Sequence, residues 1–272
     1  MSKSPHPQKK PTTSSAAQNQ PALLVSGSPR GVSPALLQEL ASWAGFIVAL
    51  DAGGQQLRRA GLKPDLLLGD FDSLSPECLA YYEAQGVLIE RHDAYKNATD
   101  IELGIEALCL RGYHRILATN VLGGRADHSL GALGALAGAV CNKGMEIVLR
   151  DEREACFFVN SNKGGKVQGE VKEGRFSCCL TSLQAASSSQ AASSVQANPC
   201  FLPYDLPCPR HLSLVTWGGS ATVSLKGVEW ELDHHSLSPH STLGISNVAR
   251  SPHWQLTVHE GSATVLFLLT FG

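Results

Sequence analysis

The segment Leu66-Leu67-Leu68-Gly69-Asp70-Phe71-Asp72-Ser73 ends an apolar run in two carboxylates separated by one residue. Two aspartates that close repel unless a cation sits between them. Hard oxygen ligands at the end of a buried strand suit Mg²⁺, which takes a few carboxylates and keeps positions open for phosphate. Gly-Asp and Asp-Ser also make ordinary turns, so the residue types alone leave both readings open. A second acidic segment is Lys96-Asn97-Ala98-Thr99-Asp100. Thr99 opens a capping box with Glu102, which places Asp100 in the first helical turn, where a carboxylate offsets the helix dipole. Lys96, just outside that helix start, is placed to face a phosphate.

Two glycine-rich segments accompany the acids. Leu122-Gly123-Gly124-Arg125-Ala126-Asp127-His128 offers backbone that a ligand can approach closely and a guanidinium fork suited to phosphate oxygens. Asp127 also reads as an N-cap for the helix that follows. Asp51-Ala52-Gly53-Gly54 is a glycine turn leading into a helix, without the spacing of a dinucleotide fingerprint. No G-x-x-x-x-G-K-[ST] occurs, which removes P-loop chemistry. Ser224 to Trp230 and Ile245-Ser246-Asn247 read by themselves as a core tryptophan and a turn.

The elements that position these residues follow from apolar periodicity. Strands are expected at Ala22–Ser26, Phe46–Leu50, Asp65–Gly69, Val87–Glu90, Ile116–Leu122 and Glu146–Leu149. Helices are expected from Pro34 after the Ser33 cap, from Thr99 to Leu110, and from Asp127 to about Val140. Alternating strands and helices imply a mostly parallel sheet, whose ligands bind outside the carboxyl ends of the strands. Asp51, Asp70, Asp72 and Gly123–His128 all fall at such ends. After Asp151 the helical period stops, and strand-like runs at Cys156–Val159, Phe176–Leu180, Ala221–Leu225, Gln255–Val258 and Ala263–Leu269 read as an all-β sandwich.

The expected organisation is a disordered tail over 1–21, an α/β domain over 22–151 and a β-sandwich domain over 152–272. The tail is rich in Ser, Pro, Gln and Lys, and the sandwich is interrupted by a flexible Ala, Ser and Pro-rich insertion over 184–210. The chain has 272 residues, 22 basic and 24 acidic side chains and 6% aromatics. Neither a basic nucleic-acid face nor a stacking platform is expected from these numbers. No apolar run is long enough to cross a bilayer, and the first residues lack a signal-like apolar core. The eight cysteines include no C-x-x-C pair and read as small buried thiols of a reducing, cytoplasmic setting.

In combination and order, these segments resemble the thiamine pyrophosphokinase family. The resemblance rests on Asp51-x-Gly53, Gly69-Asp70-Phe71-Asp72-Ser73, Thr99-Asp100-x-Glu102, Gly123-Gly124-Arg125-x-Asp127-His128, Gly227-x-x-Trp230 and Ile245-Ser246-Asn247. It implies an α/β domain, a β-sandwich domain and a homodimer whose sites are shared between subunits. It implies transfer of diphosphate from ATP to the thiamine hydroxyl, giving thiamine diphosphate and AMP. By resemblance Asp70, Asp72 and Asp100 hold Mg²⁺, and Asp72, Asp100, Arg125 and Asp127 form the catalytic set. Asp51, Gly53, Lys96, Thr99, Gly124, Arg125 and His128 line the ATP site. Ser224, Trp230, Ser246 and Asn247 form the thiamine side, where Trp230 suits a cationic ring. The family's acidic residue before Thr-Asp is Asn97 here, and Val248 replaces the glutamate that often follows Ile-Ser-Asn.

Three other readings compete. A haloacid-dehalogenase-like phosphohydrolase would use Asp70-Phe71-Asp72, yet its downstream acidic pair is missing from the chain. A diphosphokinase for another alcohol, such as a hydroxymethylpterin, would share the acids and lack a use for Trp230 and Asn247. A non-catalytic thiamine binder would have no need of so many clustered carboxylates.

Overall fold

Strict alternation writes the central strands. In β1 (Ala22–Val25), Leu23 and Val25 enter one hydrophobic core while Ala22 and Leu24 enter another on the opposite face. A strand buried on both faces belongs inside a covered parallel sheet. The computed structural model describes residues 20–93, 98–162, 164–172, 175–182 and 209–271. The expected tail up to residue 19, Lys96, Asn97 and positions 184–208 of the expected insertion lie outside them.

The first half alternates as expected. After β1 come α1 (Pro34–Trp43), β2 (Phe46–Leu50), α2 (Gly53–Arg59), β3 (Leu66–Gly69), α3 (Pro76–Ala84) and β4 (Leu88–Arg91). Then come α4 (Asp100–Leu110), β5 (Arg115–Thr119), α5 (Ala126–Lys143) and β6 (Glu146–Arg150). Ser33 and Ser75 cap α1 and α3, each followed by proline at the first helical position. Thr99 caps α4 with the full capping box. Gly144, in the left-handed region at φ 65°, ends α5.

Six parallel strands run in the order β4-β3-β2-β1-β5-β6. The chain winds outward from β1 to β4 and then restarts on the other side of β1 at β5. That reversal opens a crevice at the strands' carboxyl ends.

The sheet does not stop at residue 151. β7 (Glu154–Asn160) pairs antiparallel with β6, β14 (Thr264–Phe271) with β7, and β10 (Pro209–Trp217) with β14, giving nine strands. Where the sequence suggested a separate all-β unit, the two halves share one sheet. The second sheet has the order β12-β11-β13-β8-β9 and is antiparallel throughout. It is built from β8 (Gly165–Lys172), β9 (Arg175–Ser182), β11 (Ala221–Lys226), β12 (Leu232–Leu237) and β13 (His253–Gly261). Trp254 and Phe267 meet edge to face at 5.0 Å between the sheets. One core continues from α1, α2 and α3 into this inter-sheet space. A second core lies under α4 and α5 on the opposite face.

Several boundaries differ from expectation for physical reasons. The strand expected over Ile116–Leu122 ends at Thr119, because Asn120 turns into the left-handed region at φ 57°. The α5 cap is Arg125, so Asp127 lies in the first turn and is not the N-cap. Pro209 and Arg210, expected in the insertion, begin β10. Cys78 and Cys156 are buried as expected, whereas Cys109 and Cys141 are partly exposed; all four are free thiols. No helix among the described residues is long and apolar enough to cross a membrane.

Candidate active site

The parallel register puts Leu50 beside Leu68, so Asp51 follows β2 at the level of Gly69, the last residue of β3. The turn is tight. Asp51 has φ 42° and Phe71 φ 66°, conformations that L-residues rarely hold. The Phe71 amide donates to Asp51 Oδ1 at 3.0 Å, which ties the two turns together. Gly69 cannot be replaced here: at φ 151° a Cβ would lie 1.8 Å from Asp51 Oδ1. Gly53 is equally confined, with a Cβ position 2.2 Å from the Val25 carbonyl oxygen.

These turns bring Asp51, Asp70 and Asp72 together, each with a carboxylate oxygen within 4.8 Å of the others. Asp51 is buried, Asp70 half-buried and Asp72 exposed. Asp70 Oδ1 accepts from the Asp72 amide at 3.1 Å, fixing the two-residue spacing. Asp100, at the start of α4, hydrogen-bonds the Asp51 carboxyl. Burial first, and the Asp100 and Asp70 carboxyls next, push Asp51 up to about 7. So many acidic oxygens, one holding a proton near neutrality, are the donor set a hard divalent cation replaces protons on. Family resemblance puts Asp51 on the nucleotide side; in the structure its side chain also joins the Asp70 and Asp72 carboxylates. The signal was its position, one residue past β2, parallel to β3, which ends one residue before Asp70.

The Gly123–His128 segment leaves the same edge of the sheet, after β5, and its side chains are exposed. Arg125 Nε donates to Asp127 Oδ1 at 3.1 Å. The Arg125 side chain is 74% exposed, and its Nη2 donates to Asp127 Oδ2 at 2.5 Å, so the guanidinium is paired with Asp127 at the surface. Hydrogen bonds from Arg125 hold the Asp127 carboxyl below the usual range, so it stays ionised. Gly123, at φ 102°, packs where a Cβ would meet Arg30 Nε at 2.5 Å, and Gly124 packs against Pro29. The loop after β1 therefore forms one wall of this segment. Sequence reading gave that loop, and Arg30 in it, no role.

In the second half, Trp230 and Asn247 come together across 17 residues. Asn247 is buried, and its Nδ2 donates to the Trp230 carbonyl at 2.7 Å while its Oδ1 accepts from the Trp230 amide at 3.1 Å. This clamp holds Trp230 with 61% of its surface exposed. An exposed tryptophan on a fixed backbone is a stacking surface, and the expectation of a core residue is corrected. Ser246 lies alongside at φ 61°, its amide donating to Ser213 Oγ at 3.0 Å. Ser224 belongs to a different set of contacts. It is buried in β11, bonded to His259 Nε2 at 2.9 Å and accepting from the His234 amide at 3.0 Å.

Comparison with known proteins agrees with this layout. The thiamin pyrophosphokinase catalytic domain matches residues 37–149, and the thiamin pyrophosphokinase vitamin B1 binding domain matches residues 203–262. The chain is 25% identical over 213 residues to thiamine pyrophosphokinase 3 of Oryza sativa subsp. japonica, covering 75% of this chain and 65% of the rice protein. It is 31% identical over 111 residues to thiamine pyrophosphokinase of Bacillus subtilis (strain 168), covering 40% of this chain and 50% of the bacterial protein. These alignments thus span less than two thirds of either relative. The crystal structure of the thiamine pyrophosphokinase from Bacillus subtilis superposes with a TM-score of 0.69 at 19% identity. That superposition covers 93% of this chain and all of the other, and so shares the fold. With catalytic and vitamin-binding domains matched in order on the two halves that hold the acid cluster and the Trp230 clamp, this chain belongs to the thiamine pyrophosphokinase family.

Proposed function

We propose that the chain is a thiamine diphosphokinase, which transfers diphosphate from ATP to the thiamine hydroxyl and releases AMP. The observation that carries this reading is the meeting of Asp51, Asp70 and Asp72 within 4.8 Å on the sheet edge that also launches Gly123-Gly124-Arg125. The thiamine oxygen forms a bond to the β-phosphorus as the bond from that phosphorus to the AMP oxygen breaks. Asp70, Asp72 and Asp100 hold Mg²⁺, with Asp51 as a fourth acid of the same cluster. When bound, Mg²⁺ neutralises the triphosphate charge. Arg125 binds the phosphates and stabilises charge building on the departing AMP. Asp72, Asp100 or Asp127 orients the hydroxyl and takes its proton. Gly53, Thr99, Gly124 and His128 line the ATP site, and Lys96 belongs to the same assignment.

Trp230 stacks on thiamine, whose permanent positive charge suits an indole face, with Ser246, Asn247 and Ser224 completing the vitamin side. The N-terminal half is then the ATP and Mg²⁺ unit and the C-terminal half the vitamin unit. We assign the working form as a homodimer with each site shared between subunits. The exposed apolar residues Trp230, Leu243 and Ile245 support an assembly on that side. The reaction is assigned to the cytoplasm, where ATP is abundant and the free thiols stay reduced. Mass spectrometry of the product formed from ATP and thiamine tests the chemistry. Thiamine diphosphate with AMP is expected; thiamine monophosphate with ADP contradicts it.

A further inference from the structure

We propose that Asp151, at the end of β6, is a positioning residue that sets the Gly123–Arg125 segment for the ATP phosphates. The inference rests on the reading of Arg125 given above. Asp151 is 2% exposed. Its Oδ1 accepts from the Asn120 amide at 2.6 Å and from Thr119 Oγ1 at 3.1 Å. The Leu122 amide also favours its charged form. Asn120 lies in the left-handed region, which asparagine reaches more easily than other side chains but which its hydrogen-bond partners fix as one definite turn. Asp151 supplies part of that hold from the β6 side.

The loop after β1 supplies the rest. Asn120 Nδ2 donates to the Ser26 carbonyl at 2.6 Å, and the Ser28 amide donates to the Asn120 carbonyl at 3.1 Å. Ser28 Oγ donates to the Leu122 carbonyl at 2.6 Å. Residues 119–122 are therefore gripped on both sides immediately before the two glycines. Arg125 is the first residue beyond them with a long side chain, and its guanidinium position inherits the backbone direction set upstream. Burial pushes the Asp151 carboxyl up, so keeping it ionised costs folding free energy. A residue kept for stability alone would more economically be apolar.

The test compares Asp151→Ala, Asp151→Asn, Ser28→Ala and Arg125→Ala in the full chain. Asp151→Ala is expected to lower kcat/KM for MgATP by about 50-fold with thiamine binding, read by Trp fluorescence, unchanged. Asp151→Asn keeps an acceptor for the Asn120 amide and is expected to regain about tenfold of that loss. Ser28→Ala, which loosens the opposite grip without burying a charge, is expected to cost about fivefold, and it carries the test should Asp151→Ala not fold. Added to Arg125→Ala, the Asp151→Ala change is expected to cost no more than about twofold further, because both act through one side chain. A normal kcat/KM for MgATP in Ser28→Ala and folded Asp151→Ala, or full additivity with Arg125→Ala, overturns the positioning role. Arg125→Ala with wild-type ATP use overturns the reading of Arg125 itself, a separate outcome.

Discussion

Asp51 sits where three other carboxyls, Asp70, Asp72 and Asp100, can reach its neighbourhood, and its own carboxyl is held protonated up to about 7. The unfolded chain releases that proton near 3.8. Folding stability from this group is therefore full below about pH 4 and is lost as pH rises toward 7, a change of up to about 4 kcal/mol. Urea unfolding in EDTA at pH 5 and pH 8 measures it. The expected result is a smaller pH dependence in Asp51→Asn than in the natural chain; equal slopes would remove the assignment. On the proposed reading Mg²⁺ would take the proton's place, so its binding is expected to weaken as pH falls below 7. The same cluster makes Asp70→Asn and Asp100→Asn costly to turnover, by about 100-fold or more, while melting temperatures hold or rise as repulsion is relieved. Wild-type turnover in either variant contradicts the metal assignment. The closeness of Asp70 and Asp72 was legible because one residue separates them at a strand end, whereas Asp100 entered the metal set only through the family resemblance. Asp51 was readable at the same sheet edge, but its contact with Asp70 and Asp72 was not, since it depends on the β2 to β3 register.

At the scale of elements, the site is a set of strand ends held in unusual backbone. Gly69→Ala places a methyl group on Asp51 and is expected to destabilise the fold by about 2–4 kcal/mol and abolish metal-dependent turnover. Denaturant titration and the activity assay check both parts. Thr99→Ala removes the α4 cap and is expected to cost about 1 kcal/mol, with Asp100 less well held. The parallel strands, α1 and α4 were readable because Ser33-Pro34, Thr99-x-x-Glu102 and unbroken apolar runs are strong local signals; α3 was passed over although Ser75-Pro76 repeats the α1 signal. β12 was not readable: Leu232–Leu237 is mostly polar and exposed, so it shows no apolar period. β10 escaped because its alternation of Leu212 and Leu214 follows a Pro-rich stretch. The Trp230 clamp depends on Asn247, 17 residues away, and neither residue announces the other.

For the whole molecule, the nine-stranded sheet joins the half that holds the acid cluster and the half that holds the Trp230 clamp in one folded unit. Continuity across residue 151 was hidden because periodicity reports element type and not which strands become neighbours. If each site is shared between subunits, mixing Asp70→Asn with Trp230→Ala protomers restores activity. Random pairing predicts about a quarter of the natural level. No recovery from two stably dimeric variants contradicts the shared site.

The most direct measurement is AMP release by the purified protein with ATP and Mg²⁺, with and without thiamine. The account predicts AMP that depends on thiamine and matches thiamine diphosphate in amount. AMP formed equally without thiamine, or none formed while thiamine still quenches Trp fluorescence, would contradict it.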